Sequence, residues 1–135
     1  MVPVIGTTAD EQAIKLACDL TKKNKGKIWA VYVIEIKRAL PLDAEIESEI
    51  QKAEGVLDHI ESIAEEQDYE VETDLLQSRE IAPAIVDEAV ERNADLILMG
   101  VTYKTRFGQF NLGNVVPYVL KNAPCRVMLY HHPPT

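Results

Sequence analysis

No acidic residue follows Asp95, in a chain of 135 residues that carries 22 of them. Ten lysines and arginines lie in residues 1–95 and four, Lys104, Arg106, Lys121 and Arg126, in residues 96–135. The two parts therefore carry −12 and +4 within a net −8. The overall sign argues against general nucleic-acid binding, which rests on neutralising phosphates. The acid-free part is where an anionic ligand meets least repulsion. The plainer alternative is that two buried strands leave those forty residues little room for acids.

Cysteine is also scarce. Cys18 and Cys125 make neither a disulfide framework nor a metal-ligand spacing, and read as free thiols, small core residues in a reducing compartment. The apolar runs fall far short of the ~18 residues that a membrane span needs. The opening Met1-Val2-Pro3-Val4 has neither the basic nor the long apolar region of a secretion signal. A cytoplasmic protein with no membrane span is expected. Its length suits one domain over residues 1–135, with a loose tail over 131–135.

Several chemistries lack their motifs. There is no Gly-x-x-x-x-Gly-Lys-Ser/Thr for a P-loop, no Gly-x-Gly-x-x-Gly for a dinucleotide and no Gly-x-Ser-x-Gly nucleophile turn. The Ser-Gly-Gly-x-Asp-Ser loop of pyrophosphatases with a related sheet is missing too. His59 lies in a long acidic helical stretch and reads as a surface residue. His131-His132 has no carboxylate beside it to complete a metal site and reads as tail. Hydrolysis of ATP needs carboxylates that hold Mg²⁺ and orient water, and none follows residue 95. Asp10 and Glu11 are the nearest candidates but read better as a capping element. Binding without efficient turnover is expected, and no catalytic residue is assigned.

What is present alternates in period. Val2 to Ile5 reads as a short strand closed by Gly6, and Thr8-Ala9-Asp10-Glu11 matches a capping box. Ala13, Leu16, Ala17 and Leu20 give the following helix its apolar face. "KIWAVYVIEI", residues 27–36, is too apolar for a half-exposed strand and predicts one covered on both sides. Ile46, Ile50, Ala53, Leu57, Ile60 and Ala64 predict a long helix. Tyr69, Val71, Thr73 and Leu75 alternate with polar residues, as an edge strand does. Residues 81–93 predict a third helix with Pro83 in its first turn and Ile85, Val86, Ala89 and Val90 inward. Residues 96–99 predict a buried strand, 115–120 a short helix and "CRVMLY", residues 125–130, a last strand. Such alternation implies an α/β fold: a single-domain open five-stranded parallel sheet with helices on both faces, Rossmann-like.

Ligands of such sheets bind beyond the carboxyl ends of the strands, where strand order reverses. Gly6-Thr7 and the loop "GVTYKTRFGQFNLGN", residues 100–114, compete for that place. The second leads into a helix whose first turn offers N–H groups and the positive end of a dipole. Gly113 allows close approach. Asn114 suits an N-cap, and its amide can donate to a phosphate oxygen.

"DLILMG", the basic loop after it and "LGNVVPYVLKNAPCRVMLY" together resemble the universal stress protein family, as do the opening "VPVIGT" and the closing "NAPCRVML". The similarity in order and spacing covers essentially the whole chain. The family's nucleotide-binding members show Gly, two residues, Gly, nine residues, Gly, then Ser or Thr; Gly100 and Gly113 match the first and third glycines. The resemblance implies strand order 3-2-1-4-5 and a pocket lined by Pro3, Val4, Val33, Met99, Gly100, Gly113, Asn114 and Val115. It also implies ATP with Mg as ligand and a homodimer paired through residues 125–130. Three positions depart from the pattern. Ile5 stands where an aspartate usually contacts the adenosine, Tyr103 replaces the second glycine, and Asn114 replaces the hydroxyl. Tyr103 either blocks the phosphate path or lies flat on ribose or base, while Lys104 and Arg106 supply donors beside it. A pairing strand at the sheet edge would protect an apolar edge; Arg126 and the histidines guarding it is the alternative.

Two readings of function stay open. One is a nucleotide-binding, ATP-linked regulatory or stress-response protein. The other is a dimeric interaction domain of the same fold that has lost the ligand and meets a protein partner, as the cytosolic module of a longer chain such as a transporter would.

Overall fold

The computed structural model describes residues 1–102, 104–106, 109–111 and 113–133, with strands 104–106 and 109–111 described by backbone alone. Five parallel strands carry the fold: β1 (Val2–Pro3), β2 (Ile28–Glu35), β3 (Val71–Ser78), β4 (Leu96–Val101) and β7 (Arg126–His131). A small antiparallel hairpin, β5 (Lys104–Arg106) with β6 (Gln109–Asn111), follows β4. The helices are α1 (Thr8–Lys22), α2 (Glu47–Glu66), α3 (Ile81–Glu91) and α4 (Val115–Asn122).

β2 pairs with β1 from Val2↔Ala30 and with β3 from Ile28↔Val71 to Glu35↔Ser78. β4 pairs with β7 from Leu96↔Arg126 to Val101↔His131. The two halves join at β1: the Met1 N donates to the Leu96 carbonyl at 2.8 Å, and Leu98 N donates to the Met1 carbonyl at 2.9 Å. The sheet order is thus β3-β2-β1-β4-β7, the expected 3-2-1-4-5 with β7 as its fifth strand.

Both sheet faces are covered, which is why β2 and β4 are apolar on successive residues. On one face Ile14, Cys18, Leu57 and Ile60 of α1 and α2 pack with Val4, Tyr32, Ile34 and Leu98. On the other, Ile85, Ala89, Val116 and Val119 of α3 and α4 pack with Val31, Val33, Ile97 and Met99.

Five sequence expectations need correction. The capping box sits one residue early: Thr7, not Thr8, is the N-cap, and Asp10, not Glu11, closes the box. Both frames satisfy the pattern, but only the short Asp10 side chain reaches back under the loop. The inner face of α1 is Ala13, Ile14, Ala17 and Cys18, while Leu20 is 43% exposed. Val90 of α3 is 55% exposed, because it lies a quarter-turn off the face set by Ala82, Ile85, Val86 and Ala89. Residues 100–114 are not a plain loop but extend β4 by two residues and add the hairpin. The tail is tied further than expected, since His131 ends β7 and His132 N donates to the Val101 carbonyl at 2.9 Å. Among the described residues no helix is long and apolar enough to cross a membrane.

Candidate functional site

The chain reverses its strand order between β1 and β4, and a mostly apolar cleft of about 310 Å³ opens there beyond the strands' carboxyl ends. The volume lies at the low end of the ~300–1,000 Å³ typical of small-molecule sites. Its floor is the ends of three strands: Pro3, Val4 and Ile5, then Val31 and Val33, then Met99, Gly100 and Val101. Ile81 and Ile85 of α3 form one wall. Gly113, Asn114, Val115 and Val116, at the start of α4, form another.

Each residue is placed by an identifiable local cause. Val4 N donates to the Val31 carbonyl at 2.9 Å, so β1 ends flush against β2. Gly6 then turns at φ +99, a conformation that a side chain disfavours. The chain enters α1 over a buried carboxylate. Asp10, 2% exposed, accepts at Oδ2 from the backbone N–H of Ile5 (2.7 Å), Gly6 (2.7 Å) and Thr7 (3.0 Å). Its own N–H donates back to Thr7 Oγ1 at 3.3 Å. Burial pushes the Asp10 carboxyl above its ordinary range, and the backbone donors of Ile5, Thr7 and Gly6 pull the other way.

Gly100 belongs to β4, opposite Tyr130, and not to a loop after it. A Cβ there would overlap the Ala9 carbonyl, so this glycine lets α1 lie against the strand as well as lining the cleft. Gly113 differs in kind. It holds φ +73, and a Cβ on it would meet no described atom within 4 Å, so its requirement is backbone handedness. Asn114 is the N-cap residue of α4 as expected, but its side chain makes no capping bond. The helix start it precedes favours negative charge.

The structure thus brings together Pro3, Val4, Ile5, Val33, Met99, Gly100, Gly113, Asn114 and Val115 on one cleft. Ile5 is 61% exposed at its mouth. Tyr103 and the side chains of Lys104 and Arg106 lie outside the described residues. Sequence reasoning missed Val31, Ile81, Ile85, Val101, Thr102 and Val116, and knew Asp10 only as part of a cap. Val31 was recoverable, since it shares a strand face with Val33. Ile81 was recoverable as well, because a helix starting right after β3 begins at the carboxyl end of the sheet.

Asp10 is the only carboxylate among the described residues that line the cleft, and its Oδ2 is spent on three N–H donors. Among the described residues no group of three metal-ligating side chains occurs either. The described residues of the cleft do not fit a protein-held metal. His59 lies elsewhere, its Nε2 2.7 Å from Glu11 Oε1 on the exposed faces of α2 and α1.

Comparison with known proteins agrees with this architecture. The sequence model of the universal stress protein family matches residues 1–131. A universal stress protein of Methanocaldococcus jannaschii is 33% identical over 141 residues, an alignment covering 98% of this chain and 81% of that protein. The structure of a universal stress protein from Archaeoglobus fulgidus superposes with a TM-score of 0.78 at 22% identity, covering 95% of this chain and 94% of that one. The structure of the Archaeoglobus fulgidus protein in complex with dAMP superposes at 0.75, again at 22% identity, over 95% and 93%.

Proposed function

The chain belongs to the universal stress protein family, and from that premise we propose that its cleft binds an adenine nucleotide, ATP in the first instance, to regulate what the protein's surface presents. The observation that carries this reading is the pairing, within one cleft, of an apolar floor with a helix start left without a side-chain cap. The adenosine lies over Val4, Val33 and Met99, edged by Pro3 and Ile5. The phosphates meet Gly113, Asn114 and Val115, where the α4 dipole and backbone N–H groups favour anions. Tyr103, Lys104 and Arg106 are proposed contacts from the adjoining hairpin. The dAMP-bound protein of the same fold supports a nucleotide here.

Mg²⁺ enters, in this reading, on the phosphates of ATP and not on protein carboxylates. Asp10 is committed to the β1–α1 loop and is not placed to activate water, which supports binding with little turnover. The protein acts in the cytoplasm as a homodimer paired through β7, whose place at the end of the strand order and exposed Met128 suit a second copy. Isothermal titration with Mg-ATP, and AMP as comparison, tests the reading. A saturable one-to-one isotherm at micromolar ATP supports it. No heat at millimolar ATP, from folded and nucleotide-free protein, sinks it.

The second reading, an interaction domain without a ligand, is favoured by Ile5. An apolar side chain exposed at the mouth of the cleft offers a nucleotide no polar anchor, whereas a protein partner would cover it.

A further inference from the structure

The cleft adjoins a second space of about 440 Å³ beside the carboxyl end of β2. Its walls are of two kinds. Tyr32, Ile34, Leu40 and Ile46 are largely apolar, whereas Glu35, Lys37 and Glu49 bring charge. Glu35 and Glu49 are exposed, and among the described residues neither enters an ion pair, with Lys37 or with any other cation. Tyr32 is 7% exposed, yet its hydroxyl has no hydrogen-bond partner among the described residues. No fully sealed side-chain oxygen or nitrogen among them lacks a partner, so that hydroxyl keeps an opening, and this space lies beside it. A tyrosine buried to this degree ordinarily finds a partner for its O–H.

The wall is fixed in advance. Leu40 belongs to the connection between β2 and α2, which is held by side chains just past β3 and at its end. Arg79 Nη1 donates to the carbonyls of Lys37 (2.6 Å) and Leu40 (2.8 Å). Gln77 Nε2 donates to those of Leu42 (2.9 Å) and Ala44 (3.0 Å). A surface ordered before its guest arrives loses little freedom on binding. Leu40 and Leu42 stand 39% and 50% exposed on that connection, so apolar surface runs on past the rim of the space. Residues 35–49 carry five acids and two bases, a net −3.

We infer that this space receives a lysine or arginine side chain of a partner protein, presented with apolar neighbours on a segment that docks over the β2–α2 connection. The aliphatic stem packs on Ile34, Leu40 and Ile46 while the cationic head stays at the rim with Glu35 and Glu49. The Tyr32 hydroxyl accepts from an N–H of that head. A free alkylamine would satisfy the carboxylates but leave Leu40 and Leu42 bare, which is why the occupant is a protein segment. The site does not depend on the nucleotide reading, and it gives the interaction reading a partner of stated chemistry.

The test is a nuclear magnetic resonance titration of the intact chain with the peptide acetyl-Ala-Leu-Lys-Leu-Ala-amide, and with norleucine or glutamate in place of its lysine. The lysine peptide is expected to give saturable shifts centred on Tyr32, Leu40 and Ile46. The norleucine peptide binds about fivefold more weakly, and the glutamate peptide more weakly still. Glu35→Gln combined with Glu49→Gln brings the lysine peptide to the norleucine level. Glu65→Gln combined with Glu66→Gln, at the far end of α2, leaves it unchanged. Tyr32→Phe, which keeps the packing, weakens the lysine peptide about threefold. Norleucine binding as tightly as lysine, shifts centred elsewhere, no saturation, or an equal loss from the two glutamate pairs each overturns the inference. All four leave both readings of the cleft standing.

Discussion

Two helix starts face the cleft, and they are finished in opposite ways. At α1 the protein supplies its own anion. The Asp10 carboxylate takes three backbone N–H groups and Thr7 returns a bond, so the helix start is closed from within. At α4 the cap residue, Asn114, makes no side-chain capping bond, and the glycine before it takes a left-handed backbone. The same physical feature, a cluster of N–H donors at the positive end of a dipole, is capped by a side chain in one place and not in the other. Of the two glycine turns that compete for the ligand, the one before α1 is closed by the protein itself, and the one before α4 is where the proposed nucleotide would place its phosphate.

Substitutions at matching positions separate the two. Asp10→Ala, which strips the acceptor from three N–H groups, is expected to cost about 4 kcal/mol of stability in urea unfolding; a loss below about 1 kcal/mol would make the α1 start no better closed than the other. Gly100→Ala comes next. Its Cβ would overlap the Ala9 carbonyl and prise α1 from β4, at a cost of about 3 kcal/mol by the same measurement.

Gly113→Val strains a left-handed residue by about 2 kcal/mol and is expected to abolish the ATP isotherm, whereas Gly6→Ala strains its own turn and is expected to leave the isotherm in place. Thr7→Ala loses about 1 kcal/mol with its cap. The smallest change in stability, under about 0.5 kcal/mol, is expected for Asn114→Ala, which has no capping bond to lose. Its effect should appear in titration, as roughly tenfold weaker nucleotide affinity. Equal behaviour of Thr7→Ala and Asn114→Ala in both assays would erase the distinction between the two starts.

The alternation of strands and helices and both helical layers were legible because β2 and β4 are apolar on successive residues and the helices keep a three-to-four spacing, whereas the strand order came from the resemblance to the family. Most of the cleft was legible through the same resemblance. Once β1 and β4 are neighbours, Val4, Met99 and Gly100 must share one end of the sheet with the start of α4. The hairpin was not legible, since Lys104-Thr105-Arg106 and Gln109-Phe110-Asn111 are too short and too polar to show a clear alternation. Gly100 was legible as necessary but not for its full reason. The α1 backbone that requires it lies about ninety residues away in sequence, at Ala9. Leu20 and Val90 failed for want of an angle: each belongs to the apolar count of its helix but sits at the flank of the buried face.

The seam at β1 has a kinetic consequence. Residues 1–78 can pair locally as β1, β2 and β3, but the Met1–Leu96 contact joins positions 95 apart, and contacts of such separation close slowly. The cleft straddles that seam, with lining residues from Pro3 to Val116. It therefore cannot assemble before the last helix has docked. Refolding followed by nucleotide binding should lag behind refolding followed by helix content, and a chain emerging from the ribosome would acquire its ligand only when folding is nearly complete.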